Sequence, residues 1–128
     1  MEKVIDQFYE AIKANNVDLL GSLVTDDVTL HWQGSTDIPW AGTWRGVAEI
    51  ISFFETLNQY VEVVSIEPLA KLSSQENFMV FLRGEWLVGQ RKQAVSAIAA
   101  NRFTFKNELI QSFTVINDTE AFAKGLLD

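Results

Sequence analysis

The chain has 128 residues, of which 48% are hydrophobic, with nine Phe, four Trp, 10 Lys+Arg against 17 Asp+Glu and a net charge of −7. That length suits one domain, and so much apolar and aromatic side chain excludes disorder, filling a core and leaving aromatic surface for a cavity or interface. Excess acid with scattered Lys and Arg excludes a phosphate-tracking nucleic-acid partner, while the absence of cysteine excludes disulfides, a thiolate nucleophile and cysteine-based zinc sites.

The single histidine leaves any metal to carboxylates, and neither a metal site nor a cofactor is expected. The N-terminal residues carry acids and lack an apolar segment of signal-peptide length. The small-apolar run from Ala94 to Ala100 is too short to span a bilayer. A cytoplasmic location with no membrane partner is therefore expected.

In chain order, Val4, Ile5, Phe8, Ala11 and Ile12 recur at helical spacing with Glu2, Lys3, Asp6, Gln7, Glu10 and Lys13 on the other face, which predicts an amphipathic first helix. Asn15 and Asn16 break it, and Val17 to Val24 reads as a short second helix ending near Thr25, Asp26 and Asp27. Val28, Leu30 and Trp32 alternate with Thr29, His31 and Gln33, a strand pattern. A loop from Gly34 to Gly46 follows, carrying Trp40 and Trp44, with Pro39 fixing the backbone before Trp40 and Gly42 and Gly46 permitting sharp turns. A loop with two indoles is expected to fold them over something.

Val47, Ile50, Ile51, Phe54 and Leu57 mark a third helix. Four period-two segments come next: Tyr60 to Leu72, Asn77 to Gly89, Gln93 to Lys106 and Leu109 to Asn117. A last short helix begins at Asp118 and Thr119. Helices first and then long sequential strands predict an α+β domain with helices packed on one face of an antiparallel sheet. There is no internal repeat, low-complexity tract or linker, so residues 1–128 read as one unit.

Three stretches carry a family resemblance: Asp26 to Leu30 opening the first strand, Ala41 to Gly46 followed by Phe53 and Phe54, and the hydrophobic Ile110 to Ile116 leading into Asp118 and Thr119. In their order and spacing the chain resembles the nuclear transport factor 2-like superfamily, specifically its SnoaL-like and ketosteroid isomerase-like branches, over nearly its whole length. The resemblance implies a cone-shaped, strongly curved antiparallel sheet with helices on its concave face.

It also permits a test of one chemistry. Ketosteroid isomerases use a tyrosine on the first helix, a carboxylate base at the end of the first strand and a protonated aspartate on a central strand. Counted from Asp26 and Asp27, those positions fall on Phe8, Trp32 and Asn101. A phenylalanine cannot donate a hydrogen bond to a dienolate and an indole offers no base, so that mechanism is excluded on this count. The Asp-Arg-Asp set of limonene epoxide hydrolases cannot be assembled either.

If Trp32 and Asn101 face a cavity, strand parity puts Val28, Leu30, Phe78, Val80, Leu82, Gly84, Trp86, Val88, Ala97, Ala99, Phe103 and Phe105 on the same face. The opposite face carries His31, Met79, Phe81, Arg83, Glu85, Leu87, Ile98 and Arg102, a mixture that suits a homodimer packed through the convex sheet face. His31 reads as a structural strand residue rather than a general base, Asp37 as a loop-initiating residue, and Arg83 with Glu85 as a pair across the dimer. Asp118 occupies the place of an acid in SnoaL-like cyclases and is equally an ordinary helix N-cap; the cap is the expected role.

The expected ligand-binding residues are Phe8, Trp32, Trp40, Trp44, Phe54, Leu82, Trp86, Asn101 and Phe103. Asn101 stands out because an unpaired amide among apolar neighbours costs about 1–3 kcal/mol. Two functional readings follow. The favoured one is a binding domain for a small hydrophobic molecule, with aromatic side chains supplying affinity and Asn101 orientation. The other is a SnoaL-like isomerase, cyclase or hydrolase acting on a small hydrophobic carbonyl compound, with Asp118 as acid/base. A pure association module using the outer face is a third.

Overall fold

The apolar stripe of Ile5, Phe8 and Ala11 is buried in α1 (Glu2–Ala14), and the helix stops where Asn15 turns left-handed with φ 55°. Asparagine tolerates that conformation, and its backbone N–H closes back on the carbonyls of Ala11 and Ile12. A computed structural model describes residues 1–127 and places nine further elements after α1: α2 (Val17–Ser22), β1 (Val24–Trp32), β2 (Gly42–Arg45), α3 (Gly46–Tyr60), β3 (Val61–Ser74), β4 (Asn77–Val88), β5 (Gln93–Lys106), β6 (Leu109–Ile116) and α4 (Thr119–Leu126).

Two boundaries differ from the sequence reading. The second helix, capped by the Asn16 side chain on the Leu19 amide, ends at Ser22 rather than Val24. Val24 pairs with Ile110, and the Leu23 carbonyl accepts from the Ile110 amide at 3.0 Å. Thr25, Asp26 and Asp27 therefore lie in β1, where long-range pairing outweighs local helical spacing. The second difference is in the tryptophan loop, whose end is the short edge strand β2, pairing Trp44 with Leu30 and Gly42 with Trp32. Gly42 (φ 111°) and Gly46 (φ 82°) bracket it, each with a backbone angle that side-chain-bearing residues rarely adopt.

The six strands form one sheet in the order β2-β1-β6-β5-β4-β3. All neighbours run antiparallel, as expected of the sheet, except β1 and β6, which form a parallel pair. Irregularities after Val24, Val63, Pro68 and Thr104 interrupt the ladders, and such bulges bend and twist a sheet. The curved sheet takes α1, α3 and α4 on its inner face. Phe8 of α1 meets Phe103 and Phe113 with ring centroids 5.9 and 5.2 Å apart, and Phe122 of α4 meets Trp86 at 5.3 Å.

Strand parity holds along β4 and β5. Phe78, Val80, Leu82, Gly84, Trp86 and Val88 are buried, as are Ala99, Asn101, Phe103 and Phe105. Phe81, Arg83, Glu85, Ile98 and Arg102 face outward and are exposed. Among the described residues no helix is long and apolar enough to cross a membrane.

Candidate functional site

The inner face is not filled everywhere. Between α1, α3 and strands β3 to β6 lies an opening cavity of about 80 Å³. Ile12, Leu57, Val63 and Ile66 contribute to its wall, and each is only half-buried. Trp32, Phe54, Leu82, Trp86 and Asn101, five of the residues expected at the site, line it.

The other expected residues are placed elsewhere. Phe8 and Phe103 are buried beneath the cavity, Phe8 edge-on to Phe54, Phe103 and Phe113. Trp40 is wholly buried, packed against Trp32, Tyr60 and Phe122 at 5.5 to 6.0 Å. Trp44 is half-buried against Phe53, its indole N–H donating to the Trp40 carbonyl at 3.0 Å. The loop thus folds its indoles onto the protein's own core. None of these four side chains is part of the cavity wall, because their neighbours already occupy the space around them.

Two polar residues of the wall escaped the sequence reading. The first is Tyr9, which stands one residue beyond Phe8 and hence about 100° around the helix. Its hydroxyl accepts a hydrogen bond from the Asn101 amide nitrogen at 2.7 Å. The signal was available: Tyr9 lies four residues after Ile5 and three before Ile12, on the edge of the same apolar stripe. Counting from the paired aspartates gave Phe8, which is buried among Phe54, Phe103 and Phe113, with a phenol on the next residue. The second missed residue, Asn117, lines the cavity while its side-chain oxygen accepts from the Asp118 amide at 2.8 Å.

Asn101 is the buried polar residue of the core, 5% exposed, and its side-chain oxygen has no partner. Val80 and Val115 flank it on the neighbouring strands. Burial raises the Tyr9 hydroxyl well above its ordinary pKa near 10, with the Asn101 hydrogen bond pulling more weakly the other way. The phenol therefore stays protonated near neutral pH and keeps a proton to donate. Among the described residues, Tyr9, Asn101 and Asn117 are the hydrogen-bonding side chains of the wall besides the indoles, and no carboxylate or imidazole lines it.

Asp118 sits at the start of α4 and its carboxylate accepts from the Ala121 amide at 3.1 Å, an N-cap geometry. It borders a shallow depression on the outer face with Phe81, Ile98 and Ile116 rather than the inner cavity. His31 is on the outer face too, its Nδ1 2.8 Å from the Thr43 hydroxyl. Asp37 is exposed in the loop. Among the described residues no cluster of three His, Cys, Asp or Glu is placed to hold a metal.

Comparison with known proteins places this geometry. A nuclear transport factor 2-like protein from Burkholderia xenovorans LB400 superposes with a TM-score of 0.85 at 20% identity, over 96% of this chain and 92% of that one. TerC, co-crystallised with polyporic acid, gives 0.85 at 17% identity, over 98% and 97%. A protein of ketosteroid isomerase-like fold from Catenulispora acidiphila DSM 44928, in complex with trimethylamine, gives 0.74 at 13% identity, over 88% and 83%. At these identities the likeness is one of fold. No curated protein matches the chain in sequence. The model of the SnoaL-like domain matches residues 5–113. The chain therefore belongs to the SnoaL-like domain family and has the fold of nuclear transport factor 2-like proteins.

Proposed function

We propose that this protein binds a small, largely apolar molecule through one carbonyl or hydroxyl oxygen, which the Tyr9–Asn101 pair receives at the wall of the cavity. The observation that carries this reading is the buried pair itself. A polar dyad in an apolar, aromatic enclosure costs stability unless its hydrogen bonds are completed. The Asn101 N–H occupies a lone pair of the Tyr9 oxygen, so the phenol proton is left to donate. Turning the amide over would exchange the roles, giving the side-chain oxygen the phenol proton and leaving the NH₂ free. Either way the dyad offers a donor to a ligand oxygen, and in the first orientation the unpaired Asn101 oxygen also accepts from a ligand hydroxyl.

The wall supports binding rather than proton transfer. Among the described residues its polar side chains are a phenol, two amides and two indoles, and the Asp118 carboxylate is engaged as a helix cap on Ala121. Aromatic side chains supply contact area and a few placed polar groups supply orientation, the usual division of labour in small-molecule pockets. Relatives of the same fold were solved with trimethylamine and with polyporic acid. The test is Asn101→Leu, which keeps the volume and removes the amide. With a ketone probe followed by NMR, affinity should fall about tenfold, the worth of one hydrogen bond of about 1.4 kcal/mol. Unchanged affinity in a folded variant refutes the dyad as the anchor.

We further infer that the working form is a homodimer packed through the outer sheet face. Ala70, Phe81, Ala100 and Ile116 stand side by side across four strands, and Phe81, Ile98 and Ile116 are 36%, 58% and 54% exposed. Arg83 and Glu85 lie two residues apart on the same face beyond this row, so a two-fold axis level with Gly84 brings each arginine toward its partner's glutamate. A second copy of the chain is the occupant that such self-complementarity fits. Sedimentation should give a dimer, and Phe81→Asp a monomer; a wild-type monomer at micromolar concentration refutes the interface.

A further inference from the structure

The inner face of β4 contains a gap in its side chains. Gly84 stands between Leu82 and Trp86, both of which line the cavity. A Cβ placed on Gly84 would lie 2.7 Å from Cζ3 of Trp86 and would collide outright with its Cη2 and Cζ2. The six-membered ring of Trp86 therefore lies back along its own strand, in the space that a side chain at position 84 would occupy. Phe122 of α4 packs against it at 5.3 Å and an interplanar angle of 60°, leaving Trp86 8% exposed.

Trp86 lines the same cavity as Tyr9 and Asn101, so this arrangement sets how much room the cavity has. The remaining cavity of about 80 Å³ falls short of the ~150 Å³ that accepts a benzene ring. The sheet behind the indole is backbone and cannot recede, and the Phe122 ring holds it from above.

We propose that Trp86, seated on Gly84, is the specificity-determining residue of the cavity. It restricts the ligand to compact acyclic carbonyl or hydroxyl compounds and rejects six-membered rings. This rests on the binding reading above. Gly84 takes part by having no side chain: any larger residue there would push the indole forward into the cavity or out of its seat.

The test compares butanone with cyclohexanone, which offer the same carbonyl in different envelopes, by NMR titration of the wild type, Trp86→Ala, Trp86→Phe and Asn101→Leu. The wild type should bind butanone more tightly. Trp86→Ala should reverse the order, raising the cyclohexanone-to-butanone affinity ratio by at least about tenfold, the scale on which hydrophobic pockets discriminate size. Trp86→Phe, which keeps an aromatic partner for Phe122, should shift the ratio in the same direction by less, and it carries the test if the alanine variant does not fold. An unchanged ratio in a folded Trp86 variant, a wild type that prefers cyclohexanone, or no binding of either ketone overturns the proposal. Asn101→Leu separates the two ideas. If it leaves both affinities intact while the Trp86 variants change the ratio, the anchoring dyad is wrong and the size filter stands.

Discussion

Two groups of aromatic side chains share the inner side of this sheet and meet different fates. Phe8, Trp40 and Phe103 are at most 1% exposed and enclosed by other rings, whereas Trp32, Phe54 and Trp86 border open space. Residue type does not separate them, and strand parity does not either, since Phe103 and Trp86 face the same way. What separates them is whether a helix or loop comes down on top. Phe8 covers Phe103, and the Trp40 loop turns in between Trp32, Tyr60 and Phe122. The stretch in front of Leu82 and Asn101 is bridged less completely, so an aromatic there becomes a wall instead of a core.

Substitutions at four positions break or sharpen that contrast. The largest effect is expected at Phe103→Ala, which removes a ring stacked at 4.7 Å on Phe113 and edge-on to Phe8. Enclosed phenylalanines cost about 3–5 kcal/mol on truncation, so chemical denaturation should show that loss, while Leu57→Ala at the half-buried cavity wall should cost clearly less. Equal losses would mean that the cavity is packed like the core.

Tyr9→Phe comes next. It leaves Asn101 with neither amide atom paired, and the expected loss is about 1–3 kcal/mol, measured in the same way. The alkaline side gives a second readout. The folded pKa of Tyr9 is raised above its ordinary value of 10, so the folded state holds the proton more firmly than the unfolded chain. That contribution is fully present below pH 10 and is lost as pH rises through the folded pKa. Wild-type stability should therefore decline from about pH 10 upward, and Tyr9→Phe should flatten part of that decline. An identical alkaline profile in the two proteins would contradict the burial of the phenol.

The smallest effect belongs to Asp118. Asp118→Ala removes the bond to the Ala121 amide and should cost about 1 kcal/mol, whereas Asp118→Asn, also a good cap, should cost little. Neither should alter ketone affinity measured by NMR. A loss of binding in Asp118→Asn without a loss of stability would return this carboxylate to the site.

Much of this molecule is set by local pattern. The helical spacing of Ile5, Phe8 and Ala11, the alternation from Phe78 to Val88 and from Ala99 to Phe105, and the cap at Asp118 all follow from side-chain periodicity and backbone hydrogen-bonding needs that act within a few residues. The order of the elements and the motifs at Asp26, Gly42 and Ile110 pointed to the family on top of that pattern. The site was legible in outline, because Trp32, Leu82, Trp86 and Asn101 share an inward parity that any reading of the strands yields.

Tertiary structure decided the rest. Pairing with Ile110 drew Val24 to Asp27 into a strand, and pairing with β1 made a strand of Gly42–Arg45, since partners far away in sequence outweigh local spacing. Whether a given inward ring is core or wall depends on what another element places against it, as Phe122 does to Trp86 and Trp40 to Trp32. Tyr9 meets Asn101 because α1 crosses β5 where it does, a contact between residues 92 apart in sequence. A hydrogen bond of that span leaves no trace in spacing, because its geometry exists only once the helix and the sheet have docked.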